Sequence, residues 1–422
     1  MSTLRTRWMT FWFAPTPPTD LGVCRFLFFG IFALYYLRHD LSAWGDTSSV
    51  FWMPIPLFQY LHLHPLSREA LAGLQFVWRA ALIGSCVGFA TRISTMVAFV
   101  LGIYFIGLPH NFGKTHNLDA IVLLTMGVMA VARCGDGWSL DSLLWARPPT
   151  RPAERRSGEY TWPIRLAWLL LTSVFFGAGI SKLRHSGLAW VFSENLAVVL
   201  TQSNAPWGFH IAKHSVLCKL IAALTVLGET SAPLALVSPA LRLLIVPGLF
   251  FMQLGIWFVM GVNFKSFMVC YLFWVSWREL GLWLTAPLRV GGRHTLIFDG
   301  LCGLCNGTVA WIRHLDVMGR VDYHDAVHEW SVISRRFPQL NQAACLNDMH
   351  LVTRSGRVLT GFDAYRALAW TLPCGWIALP FLYLPGIGVI GRRVYASIAA
   401  RRARNGCHVP VHSIVVDRKA AQ

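Results

Sequence analysis

The chain has 422 residues, of which 55% are hydrophobic and only 14% charged, and its mean hydropathy is +0.49. This composition excludes an ordinary soluble protein, which needs more polar surface, and indicates an integral membrane protein. The net charge of +17 would suggest nucleic-acid binding in a soluble chain, but the basic residues gather in short loops and in the C-terminal part. There they set topology and meet lipid headgroups, so we expect the lipid bilayer, and no nucleic acid, as a partner.

Apolar runs divide the N-terminal part of the chain into candidate membrane spans. Each run is close to the roughly 20 residues that an α-helix needs to cross a bilayer. The sequence predicts a polytopic α-helical membrane bundle of about eight spans. They lie near residues 21–38, 71–90, 93–108, 118–133, 163–182, 214–237, 241–260 and 266–285.

The positions of the arginines predict the orientation of these spans. Arg5 and Arg7 place the N-terminus in the cytoplasm, and a second group of arginines, within residues 133–165, follows the fourth span. After an even number of spans the chain is in the cytoplasm again. We therefore expect a protein of the plasma (inner) membrane whose N-terminus and C-terminal domain are both cytoplasmic.

Two polar side chains at the ends of predicted spans are candidates for chemistry. His116 begins the fourth span and Lys182 ends the fifth. A lysine amine among apolar walls can act as a base, and a nearby histidine can hydrogen-bond an oxygen that gains charge. The structural alternative is that Lys182 extends to the headgroups and His116 caps a helix. For Arg25 and Arg79, also within spans, we expect internal ion pairs or extension to the headgroups.

An ordered set of short motifs relates this part of the chain to a known family. The motifs are Phe11-Trp-Phe-Ala-Pro-Thr, Thr115-His-Asn-Leu-Asp, Gly137-Trp-Ser-Leu-Asp, Gly179-Ile-Ser-Lys-Leu and Trp190. As a set they resemble the horizontally transferred transmembrane domain, which is the membrane domain of vitamin K-dependent γ-carboxylase. The resemblance extends over about residues 8–285.

This resemblance implies a site for a quinone or hydroquinone. It implies that Lys182 deprotonates a hydroquinone, that His116 stabilises the reacting oxygen with Asn117 beside it, and that Glu229 is a further functional polar position. Gln253 departs from the family, which often has histidine there. No large lumenal domain follows the last span to dock a glutamate-rich protein. These departures argue against protein γ-carboxylation as the function, whereas quinone chemistry is still expected.

The motif Asp299-Gly-Leu-Cys-Gly-Leu-Cys305 follows the short apolar run of residues 294–298. Two cysteines three positions apart can exchange a disulfide for a dithiol. A helix that begins at the motif would place Cys302 at its positive end, where a nucleophilic thiolate is favoured. The motif therefore predicts thiol–disulfide exchange.

The elements around this motif predict a small α/β domain of the thioredoxin-like type. Pro287 and the glycine pair at 291–292 mark its beginning. We predict strands at 294–299, 320–325, 349–353 and 357–360, and helices at 305–318, 328–337, 362–371 and 387–404. The apolar residues 376–390 contain Pro380 and Pro385, which favours a core or membrane-surface element over a ninth span.

This domain resembles the DCC family of thiol-disulfide oxidoreductases. The resemblance is carried by Ile297-Phe-Asp-Gly-Leu-Cys-Gly-Leu-Cys305, Gly361-Phe-Asp-Ala-Tyr365, Val394-Tyr-Ala-Ser-Ile and Cys407. Gly300 and Asp299 belong to the family motif, so we expect Gly300 to permit a tight turn and Asp299 to tune the thiols or to accept protons. The predicted domains are thus 1–288 for the membrane part and 294–410 for the thiol domain, with a tail at 411–422.

Zinc binding is the alternative use of the cysteines. Cys302, Cys305, Cys407 and His408 could form a ligand set. No second Cys-x-x-Cys motif exists in the chain, and the strand–turn–helix context favours redox chemistry. We therefore expect no metal.

Together these features predict a membrane-bound oxidoreductase. In the predicted reaction Cys302 attacks a disulfide or quinone, Cys305 resolves the adduct, and a cellular dithiol reductant resets the pair. One alternative is a carboxylase- or epoxidase-type enzyme, or one that matures a small peptide or protein substrate, with the thiol domain as an accessory. The other is a non-enzymatic lipid- or peptide-binding membrane protein.

Overall fold

The structure, a computed structural model, describes residues 2–113, 119–144, 156–203, 205–262, 264–289, 293–316 and 319–404. The chain divides into two compact units, with the change from one to the other at residues 277–278. The described part of the first unit is helical, and that of the second contains a four-stranded sheet with helices.

The first unit is built from long helices joined by short helical turns. The longer helices are α1 (Ser2–Phe13), α2 (Thr19–Leu37), α3 (Arg68–Val87), α4 (Thr91–Gly107), α5 (Asp119–Val131), α6 (Trp162–Ser186), α7 (Ser215–Ser231) and α8 (Pro239–Met260). Shorter α-helical pieces are Pro56–Tyr60, Leu140–Leu144, Ala189–Phe192, Asn195–Thr201, Pro206–Ala212, Leu234–Val237 and Lys265–Met268. Turns of 3₁₀ helix are Ser42–Asp46, Ser49–Phe51, Leu108–Phe112, Gly158–Tyr160 and Val269–Trp274.

Five helical segments of the described residues are long and apolar enough to cross a membrane. They are Thr19–Leu37, Arg68–Val87, Thr91–Phe112, Gly158–Ser186 and Pro239–Met260. Each coincides with a predicted span, so the prediction of several helices that could span a membrane is confirmed. A sixth apolar helix, α5, has 13 residues. The predicted count of eight spans is not confirmed.

The predicted span at 214–237 is interrupted. Helix α7 ends at Ser231, and Leu234–Val237 forms a separate turn. Pro233 lies between the two pieces, and proline cannot donate the backbone hydrogen bond that would continue the helix. Hydropathy alone therefore overestimated the length of this helix.

The predicted eighth span, at 266–285, is not one helix. Its first part includes the 3₁₀ turn Val269–Trp274, and an amphipathic helix, α9 (Trp277–Arg289), follows separately. The irregular backbone is tolerated because it is buried in protein and its carbonyls find donors. The indole N–H of Trp168 donates to the carbonyl oxygen of Phe273 at 2.7 Å. Burial within the unit thus explains the apolar side chains of the first part, such as Phe267 and Phe273, whereas those of α9 include the exposed Trp283 and Leu284.

Arg25 is fully buried, although it carries a guanidinium group. Its nitrogens donate to the backbone carbonyls of Ser85 and Cys86 near the end of α3, to Cys134 at 3.1 Å and to Trp138 at 2.5 Å. Carbonyl oxygens therefore hold Arg25, in place of the expected ion pair or headgroups. Cations are favoured at the C-terminal end of a helix, where carbonyls have no intrahelical partner.

Arg79 makes the same kind of contact in the opposite direction, from α3 to α2. It belongs to α3, and it donates to the carbonyls of Tyr36 at 2.9 Å and His39 at 2.7 Å, at the end of α2. The arginine of each helix thus binds the C-terminal carbonyls of the other. This reciprocal capping joins α2 and α3 as neighbours.

The second unit has a mixed four-stranded sheet in the order β2-β1-β3-β4. Strand β1 is parallel to β2, and β3 is antiparallel to both β1 and β4. The elements are β1 (His294–Phe298), α10 (Gly303–Leu315), β2 (Val321–Asp325), α11 (Trp330–Arg336), α12 (Gln342–Asn347), β3 (His350–Val352), β4 (Val358–Thr360), α13 (Gly361–Thr371), α14 (Leu379–Leu382) and α15 (Ile387–Arg404).

This arrangement confirms the predicted small α/β domain; the short helices α12 and α14 were missed. Residues 376–390 are divided among the 3₁₀ turn Pro373–Ala378, α14 and the start of α15, so they form no continuous span. Because β1 and β2 are parallel, their carboxyl ends lie at the same edge of the sheet. The cysteine motif begins at that edge.

Candidate functional site

The two cysteines of the motif lie at the beginning of α10. Cys302 is the N-cap residue, with extended backbone, and its carbonyl accepts the N–H of Asn306 at 2.9 Å. Cys305 follows in the first turn. Cys302 is fully buried and Cys305 is 3% exposed, and both are in the thiol form in this structure. The first sulfur of the motif therefore lies at the N-terminal end of α10, as the sequence predicts.

The turn that precedes Cys302 is held by hydrogen bonds on both sides. The buried carboxylate of Asp299 accepts the N–H of Leu301 at 3.0 Å, and the Asp299 carbonyl accepts the N–H of Cys302 at 3.3 Å. The side-chain amide of Asn306 donates to the carbonyl of Gly300 at 2.6 Å. These contacts assign Asp299 to fixing the turn, while its proposed action on the thiols stays a prediction.

Asp325 is a residue of this site that the sequence analysis missed. One of its carboxylate oxygens accepts the N–H of Gly300 at 3.1 Å and the N–H of Val327 at 2.8 Å. The other contacts His328 Nδ1 at 2.5 Å, and this hydrogen bond and negative charge raise the pKa of His328 above its ordinary value. Asp325 ends β2 and pairs in register with Phe298. The signal available in the sequence was a carboxylate at the end of the neighbouring parallel strand.

The absence of a side chain at Gly300 leaves room for a neighbouring carboxylate, while its expected role in a tight turn stays a prediction. A Cβ at this position would overlap the carboxylate of Asp325. We expect Gly300→Ala to displace that carboxylate and to destabilise the protein by about 1–3 kcal/mol, the usual cost of overpacking. Thermal unfolding of the purified protein measures this. Gly303→Ala is the matched control, because a Cβ there meets nothing within 4 Å; equal losses in the two variants would contradict the steric argument.

Three of the predicted membrane residues line one cavity of the first unit. Lys182, Glu229 and Gln253 share a cavity of about 520 Å³ whose other walls are mainly apolar. Lys182 Nζ lies 2.7 and 2.6 Å from the two carboxylate oxygens of Glu229. It is also 5.3 Å from the ring centroid of Trp190. Lys182 therefore belongs to an ion pair, and its action as a base stays a prediction.

Gln253 adds an unused acceptor to this cavity. The residue is 6% exposed, and its Oε1 atom is buried with no hydrogen-bond partner among the described residues. A buried acceptor of this kind carries a free-energy cost unless a ligand or water donates to it. The cavity therefore offers an ammonium donor, a carboxylate and an open acceptor within apolar walls.

Some predicted site residues cannot be placed. His116 and Asn117 lie outside the described residues, as do Cys407 and His408 of the zinc alternative. Within the described ranges, no group of three His, Cys, Asp or Glu side chains is arranged to hold a metal ion.

Comparison with known proteins bears on the second unit. Residues 296–408 match the family model described as DCC1-like thiol-disulfide oxidoreductase. No curated protein and no solved structure matches the chain. The chain thus carries a DCC1-like thiol-disulfide oxidoreductase domain behind a helical region with candidate membrane spans, and the likeness of that region to γ-carboxylase stays a prediction.

Proposed function

We propose that this protein is a membrane-bound oxidoreductase that couples thiol–disulfide exchange at Cys302 and Cys305 to chemistry on a quinone or another lipid-soluble substrate. The observation that carries the proposal is the position of the two thiols at the N-terminal end of α10, inside the domain that matches a thiol-disulfide oxidoreductase family. Oxidation of the pair to a disulfide releases two electrons and two protons. A cellular dithiol returns both to the pair.

The cavity of the first unit supports the second half of the proposal. Its apolar walls suit a hydrophobic ring and tail, Lys182 can donate to a quinone oxygen, and Gln253 Oε1 can accept from a hydroquinone hydroxyl. Glu229 is the group of the ion pair that can receive a proton, since its carboxylate already faces the Lys182 ammonium at hydrogen-bond distance. A bound quinone would supply two-electron redox chemistry at this place.

Quinone retained by the purified protein tests the cavity. We expect the double variant Lys182→Met with Glu229→Gln, which leaves no unpaired charge, to retain roughly tenfold less quinone than the wild type, because a charged hydrogen bond is lost. Quinone is extracted from protein purified in mild detergent and measured by absorbance and mass. The same double exchange in the exposed pair Lys219–Glu194 is the control. Equal retention in both double variants would remove the cavity from the proposal.

Coupling is tested by mixing the purified protein with dithiothreitol and a short-chain ubiquinone. We expect one quinone to be reduced for each dithiothreitol oxidised, since each is a two-electron couple. In this proposal the protein lies in the plasma membrane with the N-terminus and the thiol domain cytoplasmic, the side on which dithiols are maintained. Bound quinone that dithiothreitol never reduces would instead indicate a lipid-binding protein.

A second function is favoured by the Lys182–Glu229 pair itself. A partly buried ion pair in an apolar cavity is an arrangement that can transfer protons. The helical unit would then be the catalyst, in a carboxylase- or epoxidase-type reaction or in maturation of a small peptide, and the thiols would be an accessory. Activity that depends on Lys182 and is insensitive to Cys302 would identify this case.

A further inference from the structure

The second unit contains an apolar cavity that has Cys305 in its wall. Helices α10, α13, α14 and α15 line an open cavity of about 560 Å³, a volume in the range of ligand pockets. Cys305 and Leu304 line it from α10, Phe362 from α13, and Ile390 and Val394 from α15. Cys302 is not among the lining residues.

The cavity offers very few polar groups to an occupant. None of its described lining residues carries a charge. The Thr308 hydroxyl already donates to the carbonyl of Leu304 at 2.9 Å, and the Tyr395 hydroxyl accepts the N–H of Met349 at 3.1 Å. Because its side-chain lining is mainly apolar, with a few hydroxyl groups and no charge, the cavity favours an apolar occupant over a charged one.

The apolar wall continues onto the exposed side of α15. Ile390, Val394 and Ile398 line the cavity at four-residue spacing, which places them on one face of the helix. They are 56%, 52% and 46% exposed. An apolar occupant beside Cys305 would cover part of this surface and gain hydrophobic free energy from it.

We propose that Cys305, and not Cys302, is the thiol that meets the substrate, and that the substrate is a disulfide with an apolar group bonded to its sulfur. This inference rests on the proposed thiol–disulfide exchange and reverses the order of attack expected from the sequence. Both cysteines are buried, but Cys305 lines a cavity in which a substrate sulfur can approach, whereas Cys302 does not line it and is near enough in sequence to attack Cys305 afterwards.

The electrons balance with the substrate as oxidant. The Cys305 thiolate attacks one sulfur of the disulfide, the substrate S–S bond breaks, and the second half leaves as a thiolate. The Cys302 thiolate then attacks Cys305 Sγ, forms the Cys302–Cys305 disulfide and releases the first half. One substrate disulfide is reduced to two thiols, which take up the two protons given up by the cysteines.

Trapping with dibenzyl disulfide tests the order of attack in the full-length protein in detergent. We expect Cys302→Ser to form a stable adduct with one phenylmethanethiol, seen by mass, at least tenfold faster than Cys305→Ser. The reverse order would overturn the inference and leave the proposed function intact. If neither variant forms an adduct and the wild type reduces no disulfide, the proposed function itself fails.

Specificity is tested with both cysteines present. The rate with dibenzyl disulfide is divided by the rate with oxidised glutathione, after each is normalised to its reaction with dithiothreitol in the same detergent. We expect Ile390→Gln to lower this ratio at least fivefold. Val389→Gln is the matched control, because Val389 is 49% exposed on the same helix and does not line the cavity. Equal ratios in the two variants would overturn the apolar specificity.

Discussion

Replacing either Cys302 or Cys305 by serine is expected to lower dithiol-dependent turnover by roughly 10³-fold or more, because serine forms no disulfide and the two thiols act as a unit. For the same reason the double variant should lose no more than either single variant. Turnover of purified protein with dithiothreitol as donor and a short-chain ubiquinone as acceptor measures the loss.

Cys345 provides the control for this experiment. It is buried in the same unit, but in a separate cluster with Ile333 and Leu346. Burial raises the pKa of the Cys345 thiol to about 11, so it remains protonated and unreactive at neutral pH. Cys345→Ser should therefore keep its turnover. Full turnover in Cys302→Ser would remove the thiol pair from the reaction and favour the helical unit as catalyst.

Arg25→Met is expected to destabilise the helical unit by several kcal/mol. Methionine keeps the apolar stem and removes every donor, and each buried carbonyl left without a donor costs about 1–3 kcal/mol. The carbonyls concerned are those of Ser85, Cys86, Cys134 and Trp138. A large fall in the midpoint of thermal unfolding in detergent, with loss of the folded protein on expression, is the expected result.

Arg79→Met is the matched comparison for that variant. Arg79 also binds two backbone carbonyls, but it is only half-buried, so water can replace its donors. Its loss should cost at most about 1 kcal/mol. Equal destabilisation by the two variants would show that burial of the carbonyls is not what makes Arg25 important.

The second unit was predicted well because its signals are local. Apolar runs with Gly and Pro between them predicted the four strands within a few residues, and the Cys-x-x-Cys motif predicted the helix that begins at Gly303. Asp325 was missed because its contact with Gly300 spans 25 positions and depends on the parallel pairing of β1 with β2. The pairing of Lys182 with Glu229 was missed for the same reason, because the two residues lie 47 positions apart in the sequence.

The predicted eighth span is not one helix, and the physical reason differs from the one that concealed Asp325. Hydropathy measures how strongly a side chain avoids water, and it does not distinguish burial in lipid from burial in protein. Phe273 and its neighbours are apolar because they lie in the interior of the helical unit. The backbone there is irregular, and its stability depends on the indole of Trp168, more than 100 positions away in the sequence.

The reciprocal arginines have a consequence for biogenesis. An arginine at the centre of a single inserted helix costs about 2.5–3.5 kcal/mol on insertion scales. The carbonyls that satisfy Arg25 at residues 85 and 86 are synthesised about 60 residues later, and Arg79 in turn needs the end of α2. Either helix alone should therefore insert into the membrane inefficiently through the translocon. We expect the two to leave it for the lipid together, as one helical hairpin.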